Sequence, residues 1–274
     1  MSGVRRALVL GGGGVAGSAW EIGVLAALAE AGVDVTSADR IVGTSAGSVV
    51  GAQITGGLPL PELLRRQTDP ALQNPELASG VAMEELFARY QKLFESTPDP
   101  EELRRAFGAL ALGASTVTEA RRREVIAARL PVHEWPERDL VITAVAALTG
   151  ELRLFTPESG VGLVDAVTAS CAVPGVWPCV TIDGVRYMDG GMRSTTNADL
   201  AAGFDRVLVL APMPDLGEPT WKGLTGTVEV IEADADSRAA FGTDPLNPEV
   251  RTPSAQAGLA QGRSAAARVA AMWG

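Results

Sequence analysis

Histidine is nearly absent from this 274-residue chain, and His133 stands alone. A zinc centre built on two or three histidines is thereby excluded, and a Ser-His-Asp triad is open only with His133 as its base. Cysteine is almost as scarce. Cys171 and Cys179 are too few for a disulfide framework in a chain of this length, so a reducing compartment is expected. Positive charge falls short as well. The chain has 23 Lys and Arg against 33 Asp and Glu, a formal charge of −10, which argues against a protein that tracks nucleic-acid phosphates with a basic face. Long apolar runs are missing too. No stretch approaches the roughly 18 apolar residues of a membrane span. The run after Arg5 and Arg6 ends at Leu10, short of the roughly 7–15 residues of a secretory h-region, so the expected location is cytoplasmic.

What is present is the composition of a folded globular protein. Hydrophobic residues make up 46% and charged residues 20%, enough to bury a sizeable single core. One domain over residues 1–274 is the expected organisation, since no linker or repeat divides the chain.

Arg6 to Leu10 reads as a buried strand that runs into Gly11-Gly12-Gly13-Gly14, and Ser18 to Ala31 follows at helical spacing with Gly32 closing it. Ile41-Val42 is the next strand. It meets Gly43-Thr44-Ser45-Ala46-Gly47 and a second helix from Ser48 to Ile54, the alternation that builds a mainly parallel sheet. Residues 58–138 are helix-rich instead and read as a helical insertion over the sheet, with caps expected at Asp99 and at Thr116-Val117-Thr118-Glu119. Strand patterns return at 140–146, 151–156, 180–187, 206–210 and 227–231, before an Ala-rich helix at the end of the chain.

Gly43 to Gly47 is G-x-S-x-G in the strand-turn-helix setting that lifts a serine hydroxyl out of a sheet edge, near the positive end of the helix that begins there. The plain alternative is a helix-capping serine in a tight turn. Gly12, Gly13 and Gly14 offer consecutive backbone N–H groups suited to an oxyanion. The same loop, with Gly17, also fits a dinucleotide-binding pattern, with Asp34 or Asp39 as the ribose ligand. Asp189-Gly190-Gly191 follows a strand, where glycines allow a carboxylate to approach another loop. By itself it is a common turn.

These blocks together resemble the patatin-like phospholipase family. Its first block looks like Leu8 to Gly17, its elbow like Gly43 to Gly47, its third like Ala169-Ser170-Cys171-Ala172-Val173-Pro174 with Trp177-Pro178, and its fourth like Asp189-Gly190-Gly191 with Asn197 beyond. The resemblance implies an α/β three-layer sandwich and a lipid acyl hydrolase. Its Ser45 nucleophile would be activated by Asp189 without histidine, and Gly12, Gly13 and Gly14 would form the oxyanion hole. Gly43, Gly47, Gly190 and Gly191 would support them, and neither cofactor nor metal is implied. One position departs from the family. Ala16 stands where a basic residue is usual, so the loop lacks a positive group beside the oxyanion or a lipid phosphate.

The expected chemistry is acyl transfer to water, with Asp189 taking the Ser45 proton and returning it to the leaving alcohol. A carboxyl pKa raised by burial would suit that task. His133 precedes Asp189 in sequence, against the Ser, Asp, His order of α/β-hydrolases, and reads as a loop histidine. Cys171 and Cys179 read as buried small hydrophobes. Core packing is expected for most of Trp20, Trp135, Trp177, Trp221 and Trp273, with an acyl pocket as the other use. Asn197 either orients the Asp189 loop or caps a helix. The expected partner is a lipid or other ester, with peripheral contact to a membrane or micelle and no nucleic acid. A nucleotide-binding protein, a non-catalytic lipid- or partner-binding member of the fold, and a transacylase are the rival readings. Oligomeric state is not legible in the sequence.

Overall fold

A computed structural model of the protein describes residues 3–215 and 217–274. Met1 and Ser2, part of the start weighed above as a leader, lie outside the described residues. The strands are β1 (Arg6–Leu10), β2 (Arg40–Thr44), β3 (Asp139–Ala146), β4 (Leu152–Phe155), β5 (Val180–Ile182), β6 (Val185–Asp189), β7 (Arg206–Ala211) and β8 (Thr227–Glu232). The α-helices are α1 (Gly14–Glu30), α2 (Ala46–Thr55), α3 (Leu60–Thr68), α4 (Met83–Ser96), α5 (Pro100–Gly113), α6 (Glu119–Arg129), α7 (Leu163–Ser170), α8 (Ala235–Phe241) and α9 (Arg251–Trp273).

The strands form one sheet in the order β5-β6-β3-β2-β1-β7-β8, with β4 pairing β3 off that path. From β3 through β8 in that order the strands run parallel, while β4, β5 and β6 join antiparallel. The result is the expected α/β architecture, a mixed and mostly parallel sheet flanked by helices. Strands covered on both faces read as continuous apolar runs. In β1, Leu8 and Leu10 pack toward α1, α2 and α9, while Ala7 and Val9 face Ala198, Ala201 and Phe204.

The insertion wraps the sheet rather than lying on one side of it. Leu63 of α3 and Ile126 of α6 join the core on the α1 face, whereas Phe107 and Ala111 of α5 pack with Val145 and Met188 on the other. Close backbone approach holds α1 against α9, where a Cβ on Gly23 would overlap the Ala255 carbonyl and one on Gly258 the Trp20 carbonyl.

Two expectations need correction. The 180–187 pattern is a hairpin, not one strand, because Asp183 (φ 51°) and Gly184 (φ +78°) form a two-residue turn with both residues left-handed. The Asp-Gly pair was its signal. Helix α6 is capped by Thr118, whose Oγ1 accepts the Arg121 amide at 3.3 Å. Thr116 lies two residues too early, and its hydroxyl donates to the Val117 carbonyl instead. The Asp99 cap on α5 forms as expected, accepting from the Glu101 and Glu102 amides at 3.0 and 2.8 Å.

Candidate active site

Strand register brings the two ends of the G-x-S-x-G and Asp-Gly-Gly blocks together. Thr44 of β2 pairs with Thr143 of β3, and the next β3 residue, Ala144, pairs with Asp189 of β6. Ser45 follows Thr44 directly. It therefore leaves the sheet one strand on one side of β3 while Asp189 ends the strand on the other, about 10 Å apart in backbone spacing. That gap is within reach of two inward side chains, and both line one cavity of about 490 Å³.

The elbow at Ser45 is strained. Its φ of 52° is uncommon for a residue with a Cβ, and surrounding groups hold it there. The Ser45 amide donates to Ser170 Oγ at 2.9 Å, and its carbonyl accepts from Ser48 Oγ at 2.6 Å and from the Cys171 thiol at 3.2 Å. Gly47 lets α2 sit against β1, since a Cβ there would overlap the Leu10 carbonyl, and its amide donates to the Gly11 carbonyl at 2.9 Å. Gly43 is similarly crowded by the backbone of Gly47 and Ser48. Burial pushes the Cys171 thiol up to about 11, so it remains neutral and unreactive at neutral pH.

Asp189 is buried, 2% exposed. One oxygen accepts the Gly191 amide at 2.7 Å, while Oδ2 makes no hydrogen bond of ordinary geometry. Burial raises its pKa from 3.8 to about 7, against the opposing pull of the Ser45 side chain and the Gly191 amide. A carboxyl so poised exchanges a proton readily near neutral pH. Gly190 is required behind it, because a Cβ would overlap Thr143 Oγ1.

Asn197 takes the orienting role rather than the capping one. Its side chain makes no cap hydrogen bond, and its Nδ2 donates to Ser194 O at 2.8 Å, Thr44 Oγ1 at 3.0 Å and Gly190 O at 3.2 Å. One amide thus ties the strand before Ser45 to the turn after Asp189.

The glycine loop is divided. Gly12 donates its amide to the Thr195 carbonyl at 2.7 Å, so the expectation that three amides stand ready for an oxyanion needs correction: the 195 loop closes over the first. Gly13 is the N-cap of α1 and Gly14, in left-handed backbone at φ +64°, its first residue. Among the described residues no hydrogen-bond acceptor takes either amide. Both residues line the cavity shared with Ser45 and Asp189.

Apolar side chains from the insertion roof that cavity. Met83, Leu86, Phe87, Tyr90 and Phe94 of α4 line it, and Met192 and Met213 line it from other segments. None of the five tryptophans does. Trp20, Trp177 and Trp273 are core residues as expected, whereas Trp135 and Trp221 are half-buried against clusters of the core.

Several sequence candidates lie elsewhere. His133 is exposed beyond α6, its Nε2 3.0 Å from the Ala127 carbonyl. Asp39 and Asp34 stand near the opposite, amino end of the parallel strands, where Asp39 accepts the Arg6 amide at 2.7 Å and Asp34 accepts the Thr36 amide at 3.0 Å. A ribose held by the glycine loop at the carboxyl end of β1 is out of their reach. Sequence reasoning missed the elbow contacts of Ser170 and Cys171 and the closure of Gly12 by Thr195, for which no local spacing gives a signal.

An α/β sheet with a serine on a strained strand-helix elbow and a buried aspartate two strands away at the same sheet edge defines the class. The family model described as patatin-like phospholipase matches residues 8–202, and the chain belongs to that family. No curated protein matches the chain at a significant level. Among solved structures, VipD from Legionella pneumophila is 12% identical with a TM-score of 0.51, over 97% of this chain and 67% of that one. The type III effector protein ExoU of Pseudomonas aeruginosa is 15% identical with a TM-score of 0.46, over 97% of this chain and 53% of that one. At such identity the first likeness shows the fold alone. The chain spans about half the length of the second.

Proposed function

We propose that the protein is a serine acyl hydrolase that cleaves carboxylic esters of lipids, with Ser45 as nucleophile and Asp189 as its base. One observation carries this reading: Ser45, Asp189, Gly13 and Gly14 line a single apolar cavity, and among the described residues the Gly13 and Gly14 amides have no acceptor. Asp189 takes the hydroxyl proton as Ser45 Oγ attacks the ester carbonyl, and the Gly13 and Gly14 amides hold the oxyanion. Asp189 then protonates the leaving alcohol. Water then attacks the acyl-enzyme and gives a proton to Asp189, which passes it to Ser45 Oγ as the acid departs, restoring the serine hydroxyl and the carboxylate.

Phe87 is 45% exposed at the cavity wall, which supports entry of the acyl chain from a micelle or membrane surface. With a net charge of −10, contact with an anionic bilayer is mainly hydrophobic. Among the described residues no helix is long and apolar enough to cross a membrane.

The test is turnover of short and long p-nitrophenyl acyl esters with a fluorophosphonate label beside it. Native protein is expected to turn over and label, while Ser45→Ala and Asp189→Asn each lose at least about 1,000-fold in kcat/KM. Folded native protein that neither labels nor turns over sinks the reading.

A further inference from the structure

Five helices meet around a cavity of about 30 Å³ that neither Ser45 nor Asp189 lines. Its wall includes Ser18 of α1, Gln53 of α2, Gln67 of α3, Arg129 of α6 and Arg251 of α9. Ser18, Gln53, Gln67 and Arg251 are buried. No carboxylate stands among the described residues that line it.

Positive charge on this wall is short of partners. Arg129 shares Glu76, which does not line the cavity, with Arg122. Arg66, half-exposed on the same wall, pairs with Glu62. Arg251 is 6% exposed and pairs with no carboxylate among the described residues; its guanidinium donates to the Asn74 carbonyl at 3.1 Å. Burial lowers the pKa of Arg251 and of Arg129, to about 10 for Arg129, where the nearby charge of Arg251 adds to the effect. Both remain charged at neutral pH. Buried charge in excess of its partners is costly unless a counter-charge joins it. The same wall also carries an orphan donor and an orphan acceptor, since Arg129 Nε and Gln53 Oε1 are buried without a hydrogen-bond partner. Turning the Gln53 amide over does not cure this, because its Nε2 already donates to the Arg129 carbonyl at 2.9 Å. Polar groups so placed are satisfied by something held between them.

We propose that this cavity binds a single monatomic anion of the halide class, with chloride as the natural occupant, held by Arg129 and Arg251 with one water between the ion and Gln53. A space of about 30 Å³ takes roughly two water-sized bodies, which admits one ion with one water and refuses a phosphate or a lipid head. The anion neutralises charge that Glu76 leaves over. Lying where α1, α2, α6 and α9 meet, it ties the helix of the glycine loop to the end of the insertion. Its role is structural and stands apart from the acyl-hydrolase reading.

Thermal melts in sodium chloride and in sodium gluconate, at one ionic strength so that screening is equal, test the site. Native protein is expected to melt at least about 2 °C higher in chloride. Arg251→Gln should melt alike in the two salts and should match or exceed native protein in gluconate, because it removes a buried charge that has no partner there. Arg263→Gln, at an exposed position on the same helix, should keep the native difference. Crystals of native protein grown with bromide answer without a variant, should Arg251→Gln not fold, and an anomalous peak between Arg129 and Arg251 is expected. Equal melting of native protein in the two salts overturns the proposal. A chloride effect that survives in Arg251→Gln assigns the ion to the surface and overturns it as well, as does bromide missing from the cavity. A bromide peak without any chloride-dependent Tm marks binding at crystal concentration only and overturns the structural role. None of these outcomes depends on ester turnover.

Discussion

The sheet edge that carries Ser45 and Asp189 and the insertion that roofs them are held by different means. At the edge, position is set by backbone: strand register puts Thr44 beside Thr143 and Ala144 beside Asp189, and glycines at 43, 47 and 190 permit contacts that a Cβ would block. In the insertion, α5 is seated by Gly108, where a Cβ would overlap the Ala147 carbonyl, but α4, which roofs the site, is held by side chains. Tyr90 of α4 donates to the Pro174 carbonyl at 2.6 Å and stacks edge-on against Phe107 of α5 with centroids 4.9 Å apart, and Phe94 adds a second such contact at 5.5 Å. Backbone-set geometry admits no added atom, whereas a side-chain interface yields to repacking. Under the proposed acyl-hydrolase function, the edge is expected to govern whether the reaction occurs, and α4 what is bound.

That division breaks most sharply at Gly47. Gly47→Ala forces a methyl into the Leu10 carbonyl, and a loss of about 3 kcal/mol or more is expected in thermal melts. A native-like Tm would show that the elbow is not backbone-limited. Next in size is Asn197→Ala, which unties Thr44 from Gly190. A fall of about 100-fold in kcat with little change in KM is expected, because the proton-transfer geometry loosens while the roof is untouched. A rise in KM alone would place Asn197 with the binding residues instead.

The pH dependence sharpens the same comparison. With the Asp189 pKa at about 7, the proposed base role needs its ionised form, and kcat/KM should fall about tenfold per pH unit below that value. Stability moves in the opposite sense. The folded protein holds this proton more tightly than the unfolded chain, so the Asp189 contribution is full below about pH 4 and is lost as pH rises to about 7. Asp189→Asn should remove that slope, gaining up to a few kcal/mol over native protein at pH 8 in urea melts. Parallel curves for the two proteins would contradict it. The smallest effect is expected in the insertion, where Tyr90→Phe deletes one hydrogen bond, worth about 1 kcal/mol. KM for a long-chain ester should rise about threefold with kcat within a factor of two.

Much of the sheet was legible because its strands are apolar runs ended by glycine. β1 was read at its full extent, and the elbow and Asp-Gly-Gly blocks both lie at strand ends, where the sheet delivers them to one edge. The hairpin at Asp183-Gly184 has a local signal too, in its Asp-Gly pair. Other features had no local signal. The closure of Gly12 by Thr195 joins segments 183 residues apart, and the pairing of Glu76 with Arg122 and Arg129 falls in a stretch that reads only as helix-rich.

By itself the sequence determined the alternation of strands and helices and the placement of a serine and an aspartate at strand ends, since each follows from periodicity or glycine punctuation. Only the tertiary structure decided that one glycine amide is taken and two remain. It alone buried Asp189 deeply enough to raise its pKa to about 7, and paired Arg122 and Arg129 with one buried glutamate, Glu76, near the serine. Burial and charge balance are properties of what packs around a residue, and segments distant in sequence supply that packing.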